Sequence, residues 1–239
     1  MKKVDYLHDI LREQLQQAAG TANRDQSTDS YTGSSHTFYA VPVPVRRKII
    51  RDLLRQESEL SDTTCLQLVD KLFRGASHEE KTMGAYVLKY RVSARHGVTP
   101  EQLARWLPEL VGWAEVDALC FNVFTADELL AEWSSWGQLL QQLACHANPN
   151  VRRAALVLLC GPVSRSDDQR IHGLAFTLVR QLASENDILI TKAISWLLRC
   201  QIDTNKHAVV NFLQTHTEAL PRFVTREVER KLRTGKKNR

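Results

Sequence analysis

The sequence predicts an all-α protein, an α-solenoid built from antiparallel helix pairs. Nearly every apolar pattern in the 239 residues repeats with the period of a helix, and no stretch alternates convincingly as a strand does. The chain has only ten Gly and seven Pro, and most of them lie between these patterns. The patterns are short, amphipathic and closely spaced, as is typical of a helical array.

The first half of the chain contains clear helix boundaries. A helix is predicted over 4–19, and the polar residues 20–36 that follow are predicted to form a loop. Pro44 begins the next helix, because its fixed φ suits a first turn. Ser61 or Asp62 then caps a helix that runs to Phe73.

Ser77 and Glu80 have capping-box spacing and begin a helix that is predicted to run to about His96, before Gly97. Further helices are predicted over 100–107, 112–123, 126–133, 135–144, 149–160, 167–183, 187–201, 205–215 and 221–232. Residues 1–232 are expected to form one domain, followed by a basic tail over 233–239.

The composition favours a cytoplasmic protein that can bind a polyanion. The net charge of +5 permits nucleic acid as a partner without requiring it. Five widely spaced cysteines without a C-x-x-C motif are expected to be reduced and buried. No apolar run is long enough to span a membrane, and the polar start does not resemble a signal peptide.

Motifs for phosphate loops, dinucleotide binding, zinc proteases and serine hydrolases are absent from the sequence. Cys145 and His146 are adjacent, but they lack a second pair at zinc spacing and are predicted to mark a helix end. We therefore expect neither a metal nor an organic cofactor.

The stretch GWAEVDALC (112–120) places Trp113 and Asp117 one helical turn apart. Val116, Leu119, Cys120 and Val123 form the apolar stripe of this helix, and the Trp–Asp pair lies at its edge. The pair is either a half-buried Trp beside a solvated Asp or part of a site. Glu115 points elsewhere and is interpreted as an ordinary surface charge.

Two later helices carry basic residues away from their apolar stripes. In 188–199, Lys192, Trp196 and Arg199 lie opposite the stripe, so Trp196 is either covered by a neighbouring helix or forms an aromatic platform for nucleic acid. In 149–160, Arg152 and Arg153 lie in the first turn. They are either solvated or part of a phosphate site at the free backbone N–H groups.

The helix after Pro44 combines a first turn with positive charge. Its basic residues include Arg46 and Arg47, which are interpreted either as a solvated face or as a further contact for phosphates.

Six segments, in order along the chain, resemble those of the AlkD-like DNA alkylation repair proteins, a family of HEAT-like repeat alkylpurine DNA glycosylases. The segments are YAVPVPVRRKIIRDLL (39–54), HEEKTMGAYVLKY (78–90), WAEVD (113–117), NVRRAALVL (150–158), ITKAISWLLR (190–199) and LPRFVTREVERKL (220–232). Each is weak alone, but their shared order and spacing are specific.

The resemblance implies HEAT-like helix pairs with a concave, basic surface that binds DNA. It places the catalytic aspartate at Asp117, the tryptophans that flank the lesion at Trp113 and Trp196, and a backbone contact at Arg153. Tyr31 falls in a segment where the family commonly has Tyr-Met-Lys, although the Lys is missing here. Ala40 stands where a Gly is usual.

The activity that the resemblance implies is hydrolysis of the N-glycosidic bond of cationic alkylpurines, such as N3-methyladenine and N7-methylguanine. The substrate is expected to be double-stranded DNA, bound by a monomer that does not flip the base. Two alternatives stay open: a non-catalytic HEAT-like module that binds damaged or branched DNA, and a solenoid that binds proteins.

Overall fold

The computed structural model describes residues 2–19, 31–121 and 123–236, and these ranges contain thirteen α-helices, one 3₁₀ helix and no β-strand. The all-α prediction is confirmed, and the succession of packed helices is consistent with an α-solenoid. Residues 20–30 of the predicted loop and 237–239 of the predicted tail lie outside the described residues. None of the described helices is both long and apolar enough to span a bilayer.

The chain divides into two compact units, one within Met1–Leu119 and the other within Cys120–Arg239. The expectation of a single domain over 1–232 stays a prediction beside this division. The first unit contains α1 (Lys2–Ala19), α2 (Val43–Gln56), α3 (Asp62–Phe73), α4 (His78–Tyr90), α5 (Val92–His96), α6 (Pro100–Trp106), the 3₁₀ helix Leu107–Glu109 and α7 (Gly112–Cys120), which ends at the boundary.

The second unit is built around α10. Its helices are α8 (Ala126–Ala131), α9 (Trp133–Ala144), α10 (Pro149–Val163), α11 (Gln169–Leu182), α12 (Ile188–His216) and α13 (Arg222–Thr234). Helix α10 packs against α8, α9, α11 and α12. It is therefore apolar on nearly all sides, and every residue from Arg153 to Val163 is buried.

Helix starts agree with the caps expected from the sequence. The Ser61 hydroxyl accepts a hydrogen bond from the Thr64 N–H at 3.1 Å. Ser77 and Glu80 form the predicted capping box, in which the Glu80 carboxylate accepts from the Ser77 N–H at 3.0 Å. Both bonds join residues three apart in sequence, so a local pattern suffices to predict them.

Two helix boundaries show the limits of local patterns. The helix expected to reach His96 breaks at Arg91, whose guanidinium binds the carbonyls of Ser58 and Leu60 and the carboxylate of Asp62. The predicted break before the helix at Asn205 is present as a kink, where Asn205 has φ −143° and ψ 49° inside α12.

Helix α4 is buried along almost its whole length because α2, α3 and α5 pack around it. Its first turns consist of five consecutive polar residues, 78–82, all at most 3% exposed. Buried polar groups are costly unless they have partners. These side chains are partnered: Glu80 accepts from His8 at 2.8 Å, for example, and Lys81 donates to the Phe73 carbonyl.

The prediction that the cysteines are buried is confirmed for Cys65, Cys120 and Cys160 but wrong for Cys145, which is exposed, and for Cys200, which is half-buried. Cys145 is the C-cap of α9, as expected of a helix end, and its sulfur accepts a hydrogen bond from the Gln181 amide at 3.0 Å. All five cysteines are free thiols.

Candidate functional site

Trp113 and Asp117 lie one turn apart on α7, and both side chains are partly exposed. The predicted apolar stripe of this segment is confirmed, since Val116, Leu119 and Cys120 are at most 1% exposed. The Trp–Asp pair therefore lies at the edge of the buried face, as expected. A carboxylate held there beside an aromatic ring favours a cationic group over an anionic one.

The Trp113 indole has a fixed position in the first unit. Its Nε1–H donates to the Tyr31 carbonyl at 2.6 Å. The two rings meet edge to face, with centroids 5.4 Å apart and an interplanar angle of 88°. Tyr31 itself is 72% exposed, so the pair presents aromatic surface to solvent.

Two glycines bring residues 31–36 against the start of α7. Gly33 and Gly112 both have positive φ, +69° and +77°, a region that favours glycine. A Cβ on Gly112 would lie 2.4 Å from the Thr32 carbonyl oxygen and the Gly33 carbonyl carbon. The contact therefore requires glycine at residue 112.

Glu115 is buried, and its interpretation as a surface charge is wrong. The residue is 1% exposed. Its carboxylate accepts hydrogen bonds from the Ser34 hydroxyl at 2.5 Å, the His78 ring at 3.1 Å, the His36 ring at 3.0 Å and the Val111 N–H at 2.8 Å. Helical periodicity could not reveal this, because three of the four donors lie far away in sequence.

The Glu115 carboxyl is held in its charged form. Burial acts to raise its pKa, but the hydrogen bonds from His78, Ser34, the Val111 N–H and His36 outweigh burial and lower the pKa below its usual value. A carboxylate that accepts several hydrogen bonds in this way is a rigid anchor.

A second carboxylate fixes the segment that leads to α2. Glu79 is fully buried and accepts from the backbone N–H groups of Tyr39 and Val41, at 3.1 and 3.3 Å. Between them, Ala40 adopts a left-handed φ of +59°. The glycine that is usual at this place in the resembling family would adopt this conformation without the strain that a Cβ adds.

In the second unit, Trp196 is partly exposed on α12 and packs against Phe121, with ring centroids 4.5 Å apart. Lys192, one turn earlier, is exposed. The ring is thus partly covered by Phe121, which follows α7 and belongs to no helix, and partly accessible. Its use as a platform for nucleic acid stays a prediction.

The two arginines at the start of α10 make different contacts. Arg153 is 4% exposed and donates to the Leu189 carbonyl in the first turn of α12 at 2.6 Å. Arg152 is half-buried, binds the carbonyls of His146 and Ala147 at 2.8 Å each, and pairs with Glu185. Both arginines hold the fold together, and a contact of either with DNA stays a prediction.

Two further predicted DNA contacts are buried. Arg199, placed on the outward face by its helical position, is 7% exposed because α13 covers it. Its guanidinium lies 3.5 Å from Glu227 of α13. Arg46 is 6% exposed and donates to the Thr82 hydroxyl of α4. Burial lowers the pKa of both arginines. The outward placement of Arg199 is thus wrong.

Arg47 is exposed, and its guanidinium lies 5.3 Å from the ring centre of Tyr86. Arg51, one turn later, is exposed and stands in the same way over Tyr90, at 5.7 Å. The sequence pattern did not predict this ladder of arginine on tyrosine, since the tyrosines belong to α4. The stacking reduces the freedom of both arginines.

The predicted site residues are divided between the two units. Tyr31, Trp113 and Asp117 belong to the first, together with Arg46 and Arg47. Arg153 and Trp196 belong to the second, together with Arg152, Lys192 and Arg199. The expectation that they share one concave basic surface stays a prediction.

The described residues form an all-α fold in which Trp113 and Asp117 lie at the edge of the buried face of α7. The sequence profile of the family described as "DNA alkylation repair enzyme" matches residues 11–232. The chain therefore belongs to this family of DNA repair enzymes.

A solved structure shares the fold. It is described as a predicted DNA alkylation repair enzyme from Enterococcus faecalis. It is 18% identical, superposes with a TM-score of 0.73, and the match covers 90% of this chain and 97% of that one. No curated protein matches the chain at a significant level.

The contact between Gly33 and Gly112 generates a stability prediction. Gly112→Ala places a Cβ against the Thr32 carbonyl at positive φ, so we expect it to lower the free energy of unfolding by about 2 kcal/mol or more. Gly173→Ala is the matched control, because its Cβ meets nothing within 4 Å on α11. It should stabilise by about 0.5–1 kcal/mol. Equal effects of the two changes in denaturant unfolding would contradict the packing described.

The charge of Glu115 generates a pH prediction. Its pKa is lowered by folding, so the charged carboxylate adds stability above its unfolded pKa and loses it as pH falls through the folded pKa. The stability advantage of the wild type over Glu115→Gln should therefore shrink between about pH 5 and about pH 3. Denaturant titrations at both pH values measure it, and an advantage that stays constant would contradict the lowered pKa.

Proposed function

We propose that this chain is a DNA glycosylase that hydrolyses the N-glycosidic bond of cationic alkylated purines in double-stranded DNA. Substrates of this class include N3-methyladenine and N7-methylguanine. The proposal is supported above all by the half-exposed Asp117 one turn from an anchored Trp113, in a chain that belongs to a family of DNA repair enzymes.

The chemistry suits a single carboxylate. Alkylation leaves the purine positively charged, so the bond from C1′ to the base nitrogen breaks with its electron pair going to the base, which departs neutral. Positive charge then moves to the sugar, as in glycoside hydrolysis. Asp117 would stabilise this charge or orient the water whose oxygen adds to C1′, and the proton of that water is released.

The tryptophans would contribute through their ring faces. An indole attracts a cation by its quadrupole, which favours both the charged base and the sugar cation. Trp113 and Trp196 are both accessible in part, and each is held by an aromatic neighbour, Tyr31 or Phe121. We propose that they flank the lesion while the base stays in the duplex, and that neither a metal nor an organic cofactor takes part.

Duplex DNA would be held by exposed cations. Lys192 beside Trp196 is one of them. The other group is the stacked pair Arg47 and Arg51, because no carboxylate in the described part of the chain pairs with either guanidinium. Their neighbours Lys48 and Arg55 differ, since both pair with Asp52. We propose that the protein acts as a monomer on DNA in the cytoplasm.

Asp117→Asn should abolish most base release and keep DNA binding, because the amide lacks the negative charge that faces the sugar cation. By analogy with the loss of other preorganised groups, the rate should fall about 10²–10³-fold. The assay is single-turnover release of 7-methylguanine from a methylated duplex, with the exposed Asp127→Asn as control. Release by Asp117→Asn at the wild-type rate would exclude its role. A wild type that binds the duplex but releases no base would favour a non-catalytic binding module.

Arg47→Ala and Arg51→Ala should each weaken binding to an undamaged duplex and lower its salt dependence. Each lost phosphate contact reduces the slope of log affinity against log salt by about 0.9. Arg55→Ala is the matched control on the same helix, since Asp52 already pairs with that arginine. Fluorescence anisotropy over a salt series measures the slopes. The contact is excluded if the three variants give the wild-type slope.

A further inference from the structure

Glu115 lies where three pieces of the first unit meet. Ser34 and His36 come from the segment before α2, His78 from the first turn of α4, and Val111 from the residue before α7. Ser34 and His78 are at most 6% exposed, so these two donors are buried together with the carboxylate. Glu115 is the acceptor that all of these groups share.

Two of the groups that donate to the Glu115 carboxylate lie close in sequence to the residues that hold the Trp113 indole. The first is Val111, whose N–H donates to Glu115 and which is two residues before Trp113. The second is Ser34, whose hydroxyl donates to Glu115. It is three residues after Tyr31, whose carbonyl accepts the indole N–H. Gly33 and Gly112 make the close backbone contact between segment 31–36 and the start of α7.

The segment 34–36 depends on this acceptor. The Ser34 hydroxyl also accepts a hydrogen bond from the His36 N–H at 3.1 Å. The same side chain therefore stabilises the turn and binds Glu115. The next residue, Thr37, continues onto α4, where its carbonyl accepts the His78 N–H at 2.9 Å. The backbone around Thr37 therefore holds the far end of the segment, while Glu115 holds Ser34 and His36, which lie between Thr37 and Tyr31.

We infer that Glu115 is a positioning residue, which sets the place and orientation of the Trp113 indole by holding segment 31–36 against the start of α7. Its importance for catalysis rests on the proposed function. The positioning itself does not, because it concerns only contacts within the first unit.

The test uses 5-fluorotryptophan and ¹⁹F NMR of the full chain. The protein has five Trp, and Trp113→Phe assigns the resonance of interest. Glu115→Leu removes every acceptor at once, and we expect the Trp113 resonance to shift or broaden while the other four stay in place. Ser34→Ala removes one donor only, is milder for folding, and should move the same resonance.

Glu80→Leu is the matched control. Glu80 is also a buried carboxylate of the first unit with a histidine and a serine partner, but these partners, His8 on α1 and Ser77 at the start of α4, lie outside segment 31–36 and α7. We expect this variant to lose stability and keep the Trp113 resonance. In single-turnover base release, Glu115→Leu should lose up to about a hundredfold in rate with duplex binding largely kept, and Glu80→Leu should not.

The outcomes separate the two proposals. A Trp113 resonance at the wild-type position in Ser34→Ala, and in Glu115→Leu if it folds, would overturn the positioning role. A moved resonance with no base release by the wild type would support the positioning and overturn the glycosylase proposal. A moved resonance together with a rate that matches Glu80→Leu would overturn the link between positioning and catalysis.

Discussion

The buried carboxylate of Glu115 is the constraint on which the first unit's candidate site depends. A charge removed from water is stable only when donors replace the water, and four groups from three parts of the chain do so here. Meeting that requirement fixes the segment 31–36, the first turn of α4 and the start of α7 relative to one another. The exposed aromatic pair of Tyr31 and Trp113 is built on this junction.

The arginines divide by what their guanidinium groups already bind. Arg46, Arg153 and Arg199 are at most 7% exposed and satisfy hydroxyl, carbonyl or carboxylate groups of neighbouring helices. Such cations hold helices together, and replacing them would disturb the fold before it disturbed a ligand. Arg47 and Arg51 are exposed and stacked, and neither forms an ion pair within the described chain, which suits transient contacts to phosphates.

The sequence predicts the helices well because their starts are local: caps such as Ser61 and Ser77 act within three residues. The all-α class and the edge position of Trp113 and Asp117 follow from periodicity alone. Long-range partners could not be predicted. The interpretation of Glu115 as solvated is wrong because its donors, Ser34, His36 and His78, are distant in sequence. The break at Arg91 likewise depends on the distant residues Ser58 and Leu60. Arg199 is buried by α13, a separate helix whose position cannot be deduced from the periodicity of α12.

In the proposed reaction, Asp117 would stabilise a positive charge that develops on the sugar. The most direct measurement compares binding of two duplexes, one with a cationic pyrrolidine nucleotide in place of the sugar and one with a neutral tetrahydrofuran nucleotide. We expect the wild type to bind the cationic duplex more tightly, as a mimic of the transition state, and Asp117→Asn to lose this preference. Equal affinity of the wild type for the two duplexes, or a preference that survives Asp117→Asn, would contradict it.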